Sequence, residues 1–163
     1  MKPQPVQPGP GQESVWDYPR PPRVEKSTRH ILVRWNEITL ADSCNTFRVL
    51  ETSHPPTYYI PYQDVAMDHL RPSDKRSFCE WKGRASYYDF AAGTTHIPNA
   101  AWTYEDPSPD FAPLRGHLAF YPDRLECFLD GERVQAQAGG FYGGWITRDI
   151  VGPFKGEAGT RKW

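Results

Sequence analysis

The sequence predicts a mainly β fold, built of short antiparallel strands and hairpins with at most one or two short helices. Three observations predict it. No segment keeps a 3.6-residue apolar period over the length of a helix. Short runs rich in β-branched and aromatic residues recur from Ile31 to Val134, in the pattern of strands. Between them, 17 Pro and 13 Gly break the chain into turns, because proline lacks a backbone donor and glycine adopts left-handed backbone without strain.

Residues 1–12, MKPQPVQPGPGQ, hold little to bury beyond Val6 and read as a disordered leader. A single β domain is expected over 13–163, within the usual size of one domain. Trp16 and Tyr18, ahead of Pro19, Pro21 and Pro22, suggest an extended surface strap pinned by two rings. His30–Trp35 and Ile38–Asp42 flank Asn36-Glu37 as a hairpin, Thr46–Glu51 is the next strand, and Tyr58–Ile60 is a short one between prolines. Asp64–Leu70 predicts one helical turn, stopped by Pro72. Phe78–Trp81 and Ser86–Phe90 read as strands around Lys82-Gly83, and Ala100–Tyr104 as another. Leu118–Tyr121 and Leu125–Leu129 follow, and Asp130-Gly131 favours a type I′ turn into Arg133-Val134. The strings ILVRWNEITLADS and LECFLDGERVQAQ echo each other, as any two hairpins would.

Composition narrows the function classes. Aromatic residues are 14% of the chain and offset a modest aliphatic content, since each ring buries about 150–250 Å². With 19 Lys and Arg against 20 Asp and Glu, no global field draws in nucleic acid or an anionic membrane, and neither is expected as a partner. Cys44, Cys79 and Cys127 lie far apart without a paired-cysteine motif, which disfavours a disulfide framework and a four-cysteine zinc site. No run approaches the ~18 apolar residues of a spanning helix, and the Pro/Gln-rich start lacks a secretory pattern. A cytoplasmic location follows as the expectation.

Four clusters hold residues that can carry chemistry. In the first, Glu51 ends a strand and Tyr58 and Tyr59 follow His54-Pro55-Pro56, so a carboxylate and phenols face either a ligand or the core. The second runs from Cys79 to Asp89. On a strand, Cys79, Trp81 and Gly83 share one face and Glu80, Lys82 and Arg84 the other. Lys82 is then a solvated surface group or, in a pocket, an anion anchor, a Schiff-base nucleophile or a base. The third places Trp102 and Tyr104 on one side of a strand, as an aromatic platform or as core. The fourth, Gly139–Thr147, sets Phe141, Tyr142 and Trp145 among glycines, which implies sharp turns around bulky rings or backbone left bare for a ligand.

Other templates fail. The histidines are never two or four residues apart, so a metal is not expected, and no glycine-rich phosphate loop is present. No Gly-x-Ser-x-Gly elbow marks a serine nucleophile.

The strings ETSHPPTYYIPYQDV, CEWKGRASYYDF, AAWTYEDP and FYGGWITRDIVGPFKG together resemble the family called domain of unknown function 427, over roughly Ser14 to Trp163. That resemblance implies a compact fold similar to the Mss4-like β-tent proteins, and it implies no established activity. Tent-fold relatives often hold zinc through paired cysteines, which this sequence lacks. A nucleotidyltransferase-like label for the family implies a Gly-Ser followed by metal-binding carboxylates, and no such string occurs here.

These readings converge on a small-molecule-binding domain without a cofactor, as a monomer or homodimer. Its cleft is expected to be lined by Tyr59, Trp81, Tyr87, Trp102, Tyr104, Tyr142 and Trp145. In an enzyme version Glu51 serves as general base or acid and Lys82 as an oxyanion or carboxylate anchor. The alternative is a non-catalytic interaction module on a rigid β scaffold, gripping a protein through the Asp106–Gly116 loop or the N-terminal arm.

Overall fold

The computed structural model describes residues 3–163. Its strands are β1 (Glu13–Ser14), β2 (Arg23–Ser27), β3 (Ile31–Trp35), β4 (Ile38–Ser43), β5 (Thr46–Leu50), β6 (Thr57–Pro61), β7 (Leu70–Cys79), β8 (Gly83–Ala92) and β9 (Thr95–Thr103). They continue as β10 (His117–Phe120), β11 (Glu126–Leu129), β12 (Glu132–Arg133), β13 (Gln135–Ala136), β14 (Trp145–Ile146) and β15 (Ile150–Val151). Helical structure among the described residues is confined to short 3₁₀ segments.

An antiparallel sheet of order β2-β5-β6-β10-β9-β8-β7 forms the body, and a second of order β12-β11-β3-β4 packs against it. Ile31, Val33 and Leu40 from the smaller sheet meet Tyr58, Ile60, Phe90, Leu118 and Phe120 from the larger one in a shared core. Alternation along the strands sends the intervening residues to the other face. Tyr59 and Ala119 join Val49, Tyr87, Trp102, Tyr104 and Tyr121 in a second buried cluster there. Each strand of the large sheet's centre is therefore apolar on both sides. The 3₁₀ segment Pro109–Leu114 covers part of this second face with Phe111 and Leu114. The Asp106–Gly116 loop is thus anchored by two buried side chains, although Asp106 itself is exposed.

The hairpins follow the turn chemistry. Asp130 and Gly131 both take positive φ, +49° and +82°, as a type I′ turn requires, and join β11 to β12. The helical turn expected over Asp64–Leu70 is present as a 3₁₀ turn, Met67–His69, with another at Tyr62–Asp64 just before it. Two expectations need correction. Pro72 lies inside β7 instead of ending an element. β7 is the edge of its sheet, where a missing N–H costs no ladder bond, and the register shifts between Pro72 and Arg76. The strand expected over Phe78–Trp81 ends at Cys79, and Glu80, Trp81 and Lys82 form the turn into β8. The face argument for Lys82 therefore does not apply.

The strap is shorter in extension than expected, because the Ser14 side chain accepts a hydrogen bond from the Trp16 N–H and starts a 3₁₀ turn over Val15–Asp17. Both rings still fasten it. Trp16 donates its indole N–H to the Pro153 carbonyl at 2.8 Å, and the Tyr18 hydroxyl donates to Glu13 at 2.7 Å. Arg48 on β5 then grips Glu13 through two bonds of 2.9 and 3.0 Å. Of the expected leader, Met1 and Lys2 lie outside the described residues. Residues 3–12 form no helix or strand, and the Val6 N–H donates to the Gly152 carbonyl at 2.8 Å.

Candidate functional site

A hollow of ≈ 440 Å³ opens on the second face of the large sheet. Its floor is aromatic. Tyr59 comes from β6, Tyr87 from β8, Trp102 from β9 and Tyr104 from just beyond it, so strands on both sides of β10 supply one wall. The Trp102 indole meets Tyr59 edge-on at 6.2 Å between ring centroids, and Trp102 and Tyr121 lie 4.5 Å apart. The Tyr87 hydroxyl shares a hydrogen bond of 2.8 Å with Ser77, which holds the ring in place.

The β7–β8 turn brings in Trp81 and Lys82. Gly83, with φ at +107°, lets the chain reverse there. Ser108 fixes the tip, its N–H donating to the Lys82 carbonyl at 3.0 Å and its hydroxyl to the Trp81 carbonyl. The Lys82 ammonium reaches over the Tyr104 ring, 5.7 Å from its centroid. Burial works against its charge, but Tyr59, Cys79 and Glu51 outweigh that, and its pKa is raised. Burial raises the pKa of Tyr59, partly offset by Lys82, and burial likewise raises that of Tyr104. Both phenols keep their protons and remain donors.

Glu51 follows β5 directly, and its carboxylate faces Arg20 at 3.5 Å and the His54 Nε2 at 3.6 Å. His54 was not singled out as a site residue from the sequence, yet it is oriented by a chain of hydrogen bonds. The Gly144 N–H donates to Gln137 Oε1 at 3.2 Å, which leaves Gln137 Nε2 to donate to the Lys155 carbonyl at 2.7 Å and to face His54 Nδ1 at 3.1 Å. Nδ1 must then accept, so the imidazole proton sits on Nε2 and points toward Glu51. Burial, with Lys155, Arg20 and Lys82 nearby, pushes the His54 pKa down to about 3. His54 is a neutral donor and its contact with Glu51 is not an ion pair at neutral pH. A half-buried histidine beside two prolines carries no sequence signal of this kind, because the partners Gln137 and Lys155 lie far along the chain.

Tyr142 closes the wall from the glycine-rich loop, its ring 5.0 Å from that of His54. Trp145 does not join it. The ring of Trp145 lies in the core between the sheets, 5.2 Å from Tyr58, and its indole N–H donates to the Phe120 carbonyl at 3.1 Å. Packing draws Trp145 into the core cluster between the sheets, so its expected place in the cleft is corrected to a structural one. The glycines beside it serve close packing. A Cβ on Gly143 would stand 2.1 Å from Trp102 Cη2, and one on Gly144 would stand 2.5 Å from Gln137 Oε1. Gly143→Ala is therefore expected to lower stability by about 1–3 kcal/mol through overpacking against Trp102, measured by urea unfolding. An unchanged midpoint would contradict that packing.

Among the described residues no group of three or more His, Cys, Asp or Glu is arranged to hold a metal ion. No helix among them is long and apolar enough to cross a membrane. The three cysteines are free, with Cys127 buried and its thiol pKa raised by desolvation.

Fold and cavity together define a mainly β protein with an aromatic-walled hollow and a small set of ionisable groups at it. A family model described as domain of unknown function (DUF427) matches residues 23–131, more than half of the chain, and the chain belongs to this family. The matched segment contains Glu51, Tyr59, Trp81, Lys82, Tyr87, Trp102 and Tyr104, and it ends before Tyr142 and Trp145. A comparison with curated proteins finds no match.

Proposed function

We propose that this protein is a small-molecule-binding domain whose ligand lies against Tyr59, Trp81, Tyr87, Trp102, Tyr104 and Tyr142, with Lys82 and Glu51 as its polar anchors. One observation carries the reading: side chains from strands and turns distant in sequence line a single hollow, in the size range of about 300–1,000 Å³ typical of ligand sites. Apolar walls supply binding energy, while the ammonium and the carboxylate fix orientation. In a catalytic version Glu51 takes the proton-transfer role, and Lys82, with the protonated phenols of Tyr59 and Tyr104, stabilises developing negative charge. The same proposal takes the two-sheet body as a β-tent and, from three unpaired cysteines, a reducing cytoplasmic setting.

The test is a metabolite library screened by thermal shift, since a ligand bound only by the folded state raises Tm. A hit is expected to lose roughly tenfold or more in affinity in Lys82→Ala, the size of one charge-assisted contact, and to weaken in Glu51→Gln. Unchanged affinity in both variants, with folding intact, rules this site out.

A further inference from the structure

The rim of the hollow differs from its interior in a way that narrows the ligand. Only three large hydrophobic side chains among the described residues are exposed, Val6, Phe78 and Phe141. Phe78 and Phe141, 76% and 59% exposed, both stand at the hollow, although one comes from β7 and the other from the glycine-rich loop. Leaving a phenyl ring in water forgoes the stabilisation its burial would bring, and two such rings at one mouth form a surface that an apolar group can cover. The interior has the opposite character. Lys82 has no carboxylate within 4.0 Å among the described residues, and the Lys155 ammonium donates to the carbonyl of Trp163 at 3.3 Å. Glu51 is already faced by Arg20, and the other carboxylate at the hollow, Glu80, is exposed on the turn. The charged side chains lining the hollow are Lys82, Lys155, Glu51 and Glu80, and with Glu51 faced by Arg20 from outside the lining and Glu80 exposed, the Lys82 ammonium is the cation left without a carboxylate beside it among the described residues.

From this polarity we infer that the hollow takes an amphipathic organic monoanion, its acid group at Lys82 and its flat apolar body extending outward between Phe78 and Phe141. This rests on the small-molecule reading above and names the class of ligand for the same site. The Lys82 ammonium supplies a single point charge flanked by the Tyr104 ring, which suits a carboxylate or sulfonate. Among the described residues no helix N-terminus or glycine-rich phosphate loop accompanies it, which separates this arrangement from a polyphosphate site. The two rim rings then gain the contact that water denies them.

Titrating the full chain with 2-naphthoate and its neutral isostere 2-naphthamide, followed by naphthalene fluorescence and calorimetry, tests the inference. The anion is expected to bind roughly tenfold or more tighter than the amide, consistent with one charge-assisted contact in a partly desolvated site. Lys82→Met weakens the anion far more than the amide and so removes most of that preference, and Lys82→Arg restores most of it. The double variant Phe78→Ser, Phe141→Ser weakens both probes alike, because it removes apolar contact and no charge. Equal binding of the two probes, an undiminished preference in Lys82→Met, or no binding of either probe overturns the monoanion. If a neutral library compound nevertheless binds with dependence on Lys82 and Glu51, the small-molecule reading survives that result; if no library compound depends on them, both fall.

Discussion

Replacing Trp145 with alanine is expected to lower the unfolding free energy by about 3–5 kcal/mol, the cost of deleting a fully buried aromatic side chain. Its side chain is 1% exposed, it fills the space between the two larger sheets beside Tyr58, and its N–H satisfies the Phe120 carbonyl. Truncation leaves a cavity and an unpaired acceptor together, and the sheets close over the gap only in part. Trp81→Ala removes an indole of the same size from the half-exposed β7–β8 turn and is expected to cost well under half as much. Urea denaturation with a constant m-value measures both. Equal losses in the two variants would falsify the assignment of Trp145 to the core and Trp81 to the cavity wall.

Acidification is expected to destabilise the protein through His54 before its carboxylates begin to titrate. The imidazole has a pKa of about 3 in the fold against 6.5 in the unfolded chain, so between those values the unfolded state binds a proton that the folded state refuses. Stability is fully present above the unfolded value, falls as pH drops by about 1.4 kcal/mol per unit, and levels off near the folded value. From pH 7 to pH 5 this amounts to about 2 kcal/mol. Glu13, Asp89 and Asp130 behave differently: Arg48 holds Glu13 down, the Asn99 N–H and His96 outweigh burial at Asp89, and Arg29 holds Asp130 down. Their stabilisation is lost only at lower pH, as the medium passes the carboxylate range. His117 is also lowered, by burial, and adds to the same limb as His54, but it does so in wild type and variant alike. His54→Gln should therefore lose about 2 kcal/mol less than the wild type between pH 7 and pH 5, whatever its stability at pH 7. Parallel pH profiles would show that His54 is charged in the folded protein.

Much of the fold was legible because strand signals are local. Ile31–Trp35 and Ile38–Ser43 alternate or run apolar around a two-residue turn, and Asp130-Gly131 demands a backbone that closes a hairpin in one way. Pro72 misled for an equally physical reason. Proline ends a helix wherever it falls, but in a sheet its effect depends on whether its N–H side has a neighbour, and strand order is not written near it. The same holds for Lys82, whose position was legible as a question and whose delivery by a turn depended on Ser108, twenty-six residues away in the chain.

The candidate site divides along that line. Tyr59, Trp102 and Tyr104 could be placed on sheet faces from spacing alone, and Glu51 at a strand end, because period-two alternation is a property of consecutive residues. Trp145 looked like its aromatic neighbours in composition and only packing separated it from them. His54, Gln137, Lys155 and the rim pair Phe78 and Phe141 meet through contacts between distant segments, and a sequence carries no local signature of such meetings.

By itself, then, the amino-acid order determined a β protein with hairpins at definite places, and the residue types available for a site. Tertiary structure decided which rings line the hollow, which one became core, and which proton His54 holds. The physical reason is range: backbone preference and side-chain alternation act over a few residues, whereas burial, hydrogen-bond partnership and the local field depend on what the folded chain brings alongside.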